Sequence, residues 1–257
     1  MTVDIAMTNP FDLTGKVALV TGANTGIGQG IAVALAAAGA DIAAAGRSAP
    51  VETQAAVETL GRRFLSISAD FGSTEPVQRV VDETVAGLGG LDILVNNAGI
   101  IRRQDSIAFS EDDWDAVMNT NLKTVFFLTQ AAARHMLASG GGKVINIASL
   151  LSFQGGIRVP SYTASKSGLA GVTKILANEW AAKGINVNAI APGYFDTNNT
   201  EALRADEARN RSILDRIPAG RWGQPSDIGG AAVFLASGAS DYVHGVTLPV
   251  DGGWLAR

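Results

Sequence analysis

The sequence has 257 residues, of which 47% are apolar and 17% charged, so it can bury one sizeable core without dividing into two domains. Its formal net charge of −4 argues against a general nucleic-acid binder, because phosphate backbones are bound through clustered Lys and Arg side chains. Cysteine is absent and the two histidines are His135 and His244, which excludes disulfides and thiolate ligands and disfavours a metal-centred enzyme. We expect no metal site and no nucleic-acid partner.

The start of the chain carries no sign of export or of a membrane anchor. Residues 1–10 lack the basic start and apolar run of a secretory signal, and no apolar stretch approaches the ~20 residues that span a bilayer. Residues 1–14 are interpreted as a loose N-terminal tail. We expect a cytoplasmic protein without a membrane partner.

Beyond the tail, short apolar runs alternate with helical patterns. The run KVALVT at 16–21 stops at Gly22 and predicts a strand entering a turn, and the Ala-rich stretch 27–38 predicts a helix. The same alternation predicts strands at 41–46, 63–69, 92–96, 143–149, 185–191 and 246–250, and helices at 73–88, 110–138 and 161–183. Strands that are apolar on both faces indicate a covered parallel sheet. The chain, 1–257, is predicted to be a single α/β domain with a Rossmann-type doubly wound fold, whose seven-stranded, mainly parallel sheet binds ligands beyond the carboxyl ends of its strands.

A glycine-rich loop, TGANTGIG at 21–28, lies between the first predicted strand and the first predicted helix. Gly22, Gly26 and Gly28 would let the backbone turn sharply and approach a pyrophosphate, while free N–H groups at the helix start favour an anion. Glycines also serve tight turns that bind nothing. The place of this loop in the first β-α-β unit favours a dinucleotide site.

The end of the second strand bears on the choice between NAD and NADP, because an acidic side chain there accepts from the ribose 2′-hydroxyl and repels a 2′-phosphate. That position is Gly46, and Arg47 follows it, a cation that could pair with a 2′-phosphate. The glycine loop offers Asn24 and Thr25 where a second basic group would have reinforced that phosphate. NADP(H) is therefore possible, while Arg47 could instead be a solvated loop charge or stack on adenine.

A candidate proton-transfer group lies in the segment YTASK at 162–166. Tyr162 and Lys166 are four residues apart, on one face of a helix, and the ammonium would lower the pKa of the phenol from its ordinary ~10. Such a pair is, by itself, more often an ordinary amphipathic surface. Ser149, at the end of the predicted strand 143–149, could hydrogen-bond a substrate carbonyl, and Asn121 could hold a water that links Lys166 to solvent. Both also have structural explanations, in which Ser149 caps a turn and Asn121 satisfies backbone groups.

In this order and spacing, TGANTGIG, NNAG at 96–99, Ser149 and YTASK resemble the short-chain dehydrogenase/reductase family over almost the whole chain. The resemblance implies an NAD(P)-dependent oxidoreductase acting on CH–OH groups, usually a homotetramer, with Asn121, Ser149, Tyr162 and Lys166 as its catalytic tetrad. The tyrosine would be the acid or base, the lysine would lower its pKa and hold the nicotinamide ribose, and the serine would orient the substrate. The expected cofactor contacts are Gly22, Asn24, Thr25, Gly26, Ile27, Gly28, Arg47, Asp70, Phe71, Asn97, Ala98, Gly99, Tyr162, Lys166, Pro192 and Gly193.

Further stretches resemble the branch of this family that interconverts keto and hydroxyl groups on deoxy sugar acids from polyuronide breakdown, typically with NAD(H). These stretches are 61–66, 146–168, 214–223 and 250–257. An anionic sugar acid needs a cation near the phenol, and Arg158 precedes the tyrosine by four residues while Arg102 and Arg103 follow the NNAG turn. Salt bridges at the surface or between subunits are the alternative role for these arginines. The predicted substrate-binding residues are Arg102, Gln154, Arg158 and Asn198, with Asn199 as a further hydroxyl partner.

Two other functions stay open at this point. One is a reductase for another polar ketone, such as a gluconate 5-dehydrogenase or an acyl-carrier 3-oxo reductase. The other is a dinucleotide-binding protein without turnover. The charged segment 194–217, which follows the predicted cofactor contacts Pro192 and Gly193, could close over the site as a lid, and a static surface helix is the alternative.

Overall fold

The computed structural model describes residues 9–257, so residues 1–8 of the predicted tail lie outside the described residues. Within 9–14 the chain already belongs to the domain, because Leu13 is buried and its N–H donates to the carbonyl oxygen of Ala38 at 2.8 Å. The loose tail therefore ends before Leu13. From residue 9 onward, no helix is both long enough and apolar enough to cross a membrane.

The centre of the described chain is a seven-stranded sheet in the order β3-β2-β1-β4-β5-β6-β7, in which every neighbouring pair is parallel. The strands are β1 Val17–Thr21, β2 Asp41–Gly46, β3 Phe64–Ser68, β4 Ile93–Asn96, β5 Gly142–Ile147, β6 Ile185–Pro192 and β7 Thr247–Val250. The predicted doubly wound fold is confirmed, and the sheet is wholly rather than mainly parallel. The strand order reverses between β1 and β4, which is where such folds bind ligands.

Helices cover both faces of this sheet. They are α1 Gly26–Ala37, α2 Val51–Thr59, α3 Val77–Leu88, α4 Glu111–Met118, α5 Thr124–Ser139, α6 Pro160–Trp180, α7 Glu201–Ala205, α8 Glu207–Leu214 and α9 Gly229–Ala236. The helix predicted from 73 begins later because Pro76 disfavours a helical backbone at the residue before it. A π-turn, Asn119–Lys123, joins α4 to α5, so the long helix predicted at 110–138 is interrupted in its hydrogen-bond pattern.

Two apolar cores lie on the two faces of the sheet, because successive strand residues point to opposite sides. Leu19 of β1 belongs to the core formed with α3, α5 and α6, and its neighbour Val20 belongs to the core formed with α1, α2 and α9. A smaller cluster lies beyond the carboxyl edge of the sheet and consists of Leu150, Ile213, Ile217, Trp222 and Trp254.

Candidate active site

The glycine loop joins β1 to α1 at the carboxyl edge of the sheet. Gly22 and Gly26 have φ values of 66° and 59°, in the left-handed region that favours glycine. A Cβ on Gly28 would overlap the carbonyl oxygen of Gly22, so a side chain there would push α1 away from the loop. The N-cap Thr25 makes no side-chain capping bond, and the first turn of α1 has no acidic residue. The helix start therefore offers backbone N–H groups to an anion, and the loop fits the pyrophosphate of a dinucleotide.

The NNAG turn is fastened to this glycine loop by one amide and one hydroxyl. Nδ2 of Asn97 donates to the carbonyl oxygens of Thr21 and Gly22, at 2.9 and 3.0 Å. Oγ1 of Thr21 accepts from the N–H groups of Asn97 and Ala98, at 3.0 and 2.9 Å. The two loops on either side of the strand-order reversal therefore form one unit.

The end of β2 carries a cation and no carboxylate. A Cβ on Gly46 would make ordinary contact with Gly22, at 3.8 Å from its nitrogen, so a side chain would fit there. Arg47 is exposed in the loop that follows. Across the edge, Asp70 is exposed and accepts from the N–H of Gly72 at 2.9 Å. This corner has the space and the positive charge that a ribose 2′-phosphate needs.

The remaining predicted cofactor contacts lie along the same edge. Pro192 ends β6, and the N–H of Gly193 donates to the carbonyl oxygen of Val250 at 2.9 Å. A Cβ on Gly193 would lie 2.6 Å from Cα of Asp251, so this glycine allows β6 and the turn after β7 to pack closely. Phe71 follows β3 and is buried.

Tyr162 and Lys166 lie one turn apart in α6, with the ammonium nitrogen 5.6 Å from the centroid of the phenol ring. The helix begins at Pro160, which suits a first helical position. Lys166 is buried, and its Nζ donates to the carbonyl oxygen of Ile147 at the end of β5. The structure thus brings the two side chains of the YTASK segment together above the sheet edge.

Burial changes the proton affinities of both groups. Burial raises the pKa of Tyr162 above its ordinary value, while the Ser149 hydroxyl and the positive charge of Arg103 lower it by less. Burial lowers the pKa of Lys166 to about 8. Loss of hydration thus outweighs the Ser149 hydrogen bond and the Arg103 charge, so the net shift of the Tyr162 pKa is upward. That Lys166 lowers this pKa stays a prediction from the sequence.

Ser149 follows β5, and its Oγ accepts from the N–H of Leu151 at 3.2 Å, so the turn-capping role is present. Its hydroxyl hydrogen can still bond a substrate oxygen. Asn121 lies in the π-turn, fully buried, where its Oδ1 accepts from the N–H of Ile100 and its Nδ2 donates to the carbonyl oxygen of the same residue, both at 2.9 Å. Nδ2 also approaches Oγ of Ser165 at 3.4 Å. The Asn121 side chain therefore holds the loop after NNAG against α6.

The structure pairs two of the three candidate arginines with carboxylates. Arg102 contacts Asp113 at 3.0 Å, and Arg158 contacts Asp105 at 3.0 Å. Both pairs are largely exposed. Arg158 has a φ of 64°, unusual outside glycine, and its carbonyl oxygen accepts from the N–H of Gln104 at 3.0 Å. The two Arg158 contacts join the loop 100–105 to the loop 154–159, and the Arg102 pair joins the loop 100–105 to α4.

Arg103 differs from its two neighbours. Its charge acts on the phenol of Tyr162, and within residues 9–257 it forms no ion pair. Its Nη2 donates to the carbonyl oxygen of Asn199 at 3.3 Å, which connects it to the segment 194–217. Of the three arginines, this is the cation that the fold brings to the proton-transfer group.

The segment 194–217 is anchored by aromatic packing. The ring of Tyr194 lies 5.6 Å from that of Trp222 and 4.6 Å from that of Trp254, and the guanidinium of Arg216 lies 4.0 Å from the Trp254 ring. Oε1 of Gln154 accepts from Trp254 Nε1 at 3.3 Å and from Arg216 Nη2 at 3.4 Å. The C-terminal tryptophan thus links the segment to a predicted substrate-binding side chain.

Another predicted substrate contact, Asn198, is exposed in the turn Asn198–Thr200. The segment also reaches the cofactor side, since a Cβ on Gly26 would lie 3.2 Å from Cγ2 of Thr197. Trp254 and Arg216 were not predicted from the sequence. The single tryptophan near the C-terminus, Trp254, was the available signal, but a contact across 100 residues cannot be inferred from spacing.

Comparisons with known proteins agree with this geometry. A family model described as enoyl-(acyl carrier protein) reductase matches residues 22–255. A protein of Escherichia coli (strain K12) named 2-dehydro-3-deoxy-D-gluconate 5-dehydrogenase is 64% identical, over 96% of this chain and 98% of the relative. A protein of the same name from Dickeya dadantii (strain 3937) is 63% identical, over 97% of this chain and 99% of the relative.

Two solved structures extend the comparison. A putative 2-deoxy-d-gluconate 3-dehydrogenase from Agrobacterium Tumefaciens, with bound NADP, is 65% identical with a TM-score of 0.93, covering 97% of this chain and 100% of that one. A gluconate 5-dehydrogenase from Burkholderia cenocepacia J2315, in complex with NADP and tartrate, is 44% identical with a TM-score of 0.91, covering 96% of this chain and 98% of that one. The similarity extends over nearly the whole chain in each case.

Proposed function

This chain belongs to the short-chain dehydrogenase/reductase family, and we propose that it interconverts the 5-hydroxyl and 5-keto forms of 2-dehydro-3-deoxy-D-gluconate. It is an oxidoreductase that acts on CH–OH groups with a nicotinamide dinucleotide. One feature of the site supports an acidic substrate above all others: Arg103, which forms no ion pair among residues 9–257, carries a positive charge that lowers the pKa of the Tyr162 phenol, by less than burial raises it. A sugar carboxylate bound by this guanidinium would hold a hydroxyl carbon beside the phenol.

Tyr162 is the proposed acid and base. In reduction its phenol donates a proton to the oxygen of the ketone, and in oxidation its phenolate removes the proton of the hydroxyl. When bound, the nicotinamide supplies or takes the hydride. Because burial raises the pKa of Tyr162, the phenol is protonated at neutral pH and is ready for the reductive direction. Ser149 would donate a hydrogen bond to the same substrate oxygen.

Lys166 and Asn121 have supporting roles in this proposal. The buried ammonium of Lys166, held by the carbonyl oxygen of Ile147, would bond the nicotinamide ribose. The Asn121 side chain is engaged with Ile100, so its proposed role is to position the loop that carries Arg103. Because this carboxamide is occupied, a water that links Lys166 to solvent would have to hydrogen-bond backbone atoms of the π-turn instead.

The cofactor proposal is that NADP(H) binds through Arg47. Support comes from the cation and free space at the end of β2, and from bound NADP in the two solved relatives. The resemblance to NAD(H)-using enzymes stays a competing prediction. An added Cβ makes only ordinary contact at position 46, so Gly46→Asp should weaken NADPH binding about tenfold or more by repelling the 2′-phosphate, with NADH binding little changed. Equal effects on the dissociation constants of NADPH and NADH would show that the 2′-phosphate does not bind at the end of β2.

The experiment that tests the reaction is a rate measurement with three substrates and both oxidised cofactors. We expect 2-dehydro-3-deoxy-D-gluconate to give a kcat/KM at least tenfold above that of D-gluconate and of a 3-hydroxyacyl thioester. A preference for gluconate or the thioester would support the alternative reductases. No turnover of any substrate, with intact dinucleotide binding, would support a non-catalytic binding protein.

Three further features belong to the proposal. The segment 194–217 would close over the sugar acid as a lid, pivoting on the aromatic contacts of Trp254. A homotetramer would cover the partly exposed side chains of Trp114 and Phe127, which lie on α4 and α5. The cytoplasm is the proposed location, where NAD(P) pools are available. Light scattering by the purified protein tests the tetramer directly.

A further inference from the structure

Two buried polar atoms beside the NNAG turn have no hydrogen-bond partner among residues 9–257. They are Oδ1 of Asn96 and Oγ1 of Thr124. Asn96 is 2% exposed and Thr124 is 1% exposed, so bulk solvent does not reach them. Native structures rarely leave such groups unsatisfied, because a buried polar atom without a partner loses its hydration and gains nothing in return.

The Asn96 carboxamide cannot rotate to solve this problem. Its Nδ2 donates to Oγ1 of Thr129 at 2.9 Å and to Oδ1 of Asn146 at 2.8 Å. The Thr129 hydroxyl already donates to Val125, and the Asn146 amide already donates to Thr173. Both partners can therefore only accept here, so they require the NH₂ end of Asn96. Its oxygen is left facing the other way.

The Thr124 hydroxyl is unpartnered because of the π-turn. Three other buried helical threonines, Thr84, Thr129 and Thr173, donate to the carbonyl oxygen four residues earlier, at 2.7–2.8 Å. Thr124 is the first residue after the π-turn Asn119–Lys123. The wider hydrogen-bond spacing of that turn moves the corresponding carbonyl out of reach, so the hydroxyl turns elsewhere.

Both residues line one small, partly open pocket. The cavity leaves about 10 Å³ for the centre of a water-sized sphere, and its wall also includes Thr120, Phe71 and Ala98. One water molecule needs roughly 10–15 Å³ by this measure, together with two to four polar partners. The space is too small for any larger ligand.

We propose that one internal water molecule occupies this cavity and joins β4 to the start of α5. The Thr124 hydroxyl donates to the water oxygen, and the water donates to Oδ1 of Asn96 and to Oγ1 of Thr120. The Thr120 hydroxyl can accept, because its own hydrogen is used on the carbonyl oxygen of Ala116 at 2.8 Å. Thr21, also in the wall, takes no part, because its Oγ1 already accepts two N–H groups. Three bonds are the usual number for a buried water.

The water would lie beside two predicted cofactor contacts, Phe71 and Ala98, which line the same pocket. Thr120, from the π-turn that carries Asn121, lines it too. It would therefore fix the distance between the end of β4, where the NNAG turn begins, and the π-turn, whose Asn121 side chain contacts Ser165 of α6. The proposal does not depend on which sugar acid is the substrate.

The test is a set of crystal structures at about 1.8 Å or better for the wild type, Thr124→Ser and Thr124→Val. We expect a full-occupancy water in the wild type and in the serine variant, and no peak in the valine variant, which keeps the shape but removes the hydroxyl. A wild-type cavity without density would overturn the proposal. A water that persists unchanged in Thr124→Val would overturn the assigned hydrogen bonds.

A second measurement distinguishes the effect of losing the water from the effect of losing a buried hydroxyl group alone. Thr84→Val is the matched control, because the Thr84 hydroxyl donates only to its own helix, at 2.8 Å to Val80. We expect the melting temperature to fall further for Thr124→Val than for Thr84→Val, because only the former leaves Oδ1 of Asn96 without a partner. Equal shifts in melting temperature would contradict the bridging role.

Discussion

The two walls of the proposed site are built in different ways. The cofactor wall, formed by the glycine loop 21–28 and the NNAG turn 96–99, is joined through backbone atoms, tight glycine packing and the Asn97 amide. The substrate wall, formed by loops 100–105 and 154–159 and the segment 194–217, is joined largely by exposed ion pairs and long side chains. Substitutions in the cofactor wall should therefore reduce folding and dinucleotide binding together, whereas those in the substrate wall should change which substrate binds.

Tyr162 lies where the two walls meet, and its hydroxyl should give the largest effect. Tyr162→Phe removes the acid–base group while keeping the ring, so kcat should fall about 10²- to 10⁴-fold. The dissociation constant for NADPH should change little, because the ring and the helix stay in place. Steady-state rates and a fluorescence titration measure the two quantities. A variant with the wild-type rate would rule out the proposed chemistry.

Within the substrate wall, Arg103 and Arg102 form a matched pair for comparison. Arg103→Ala should raise KM for the sugar acid by about 10- to 100-fold, because a charged hydrogen bond to the carboxylate is lost. Arg102→Ala should change KM less than about threefold, because Arg102 and Asp113 form a largely exposed ion pair at the surface. Kinetics on the acid and on its uncharged methyl ester separate charge from shape. Equal effects of the two variants on KM would contradict the different roles assigned to Arg102 and Arg103.

Within the cofactor wall, Gly28→Ala should cost about 1–3 kcal/mol of folding free energy, because its Cβ would overlap the carbonyl oxygen of Gly22. Dinucleotide affinity should fall with it. Gly230→Ala in α9 is the control, since no atom lies within 4 Å of its added Cβ. Urea unfolding with and without NADPH measures both effects. If Gly28→Ala binds and folds like the control, the cofactor wall is less rigid than the contacts indicate.

A smaller effect is expected from pH. Burial lowers the pKa of Lys166 to about 8, so the ammonium is present below that pH and is lost above it. NADPH affinity should therefore weaken several-fold between about pH 7 and about pH 9, as the bond to the ribose loses its charge. Lys166→Met should bind more weakly and show no such change. A pH-independent wild type would contradict the ribose-binding role.

The contrast between the walls also explains what the sequence could predict. The spacing of Gly22, Gly26 and Gly28, and of Tyr162 and Lys166, reflects local backbone geometry, so strand and helix periodicity were enough to place these residues at one edge. The same reasoning predicted the sheet, since strands apolar on both faces need cover on both sides.

The substrate wall depends on contacts that local patterns do not contain. Arg102 and Arg103 are adjacent, yet one pairs with Asp113 and the other acts on Tyr162, and only the fold determines which. The direction of the Tyr162 pKa shift depends on burial, which no motif specifies. The π-turn at Asn119–Lys123 likewise has no composition signal, although it decides where Asn121 points.

The most direct test is to follow the hydride itself. Reduced dinucleotide carrying deuterium at the reactive nicotinamide carbon is incubated with the enzyme and the 2,5-diketo form of the 3-deoxy acid, and the product is analysed by NMR. We expect deuterium at carbon 5 of 2-dehydro-3-deoxy-D-gluconate, and none when Tyr162→Phe replaces the wild type over the same time. Deuterium at another carbon, or product formed without deuterium, would contradict the proposed reaction.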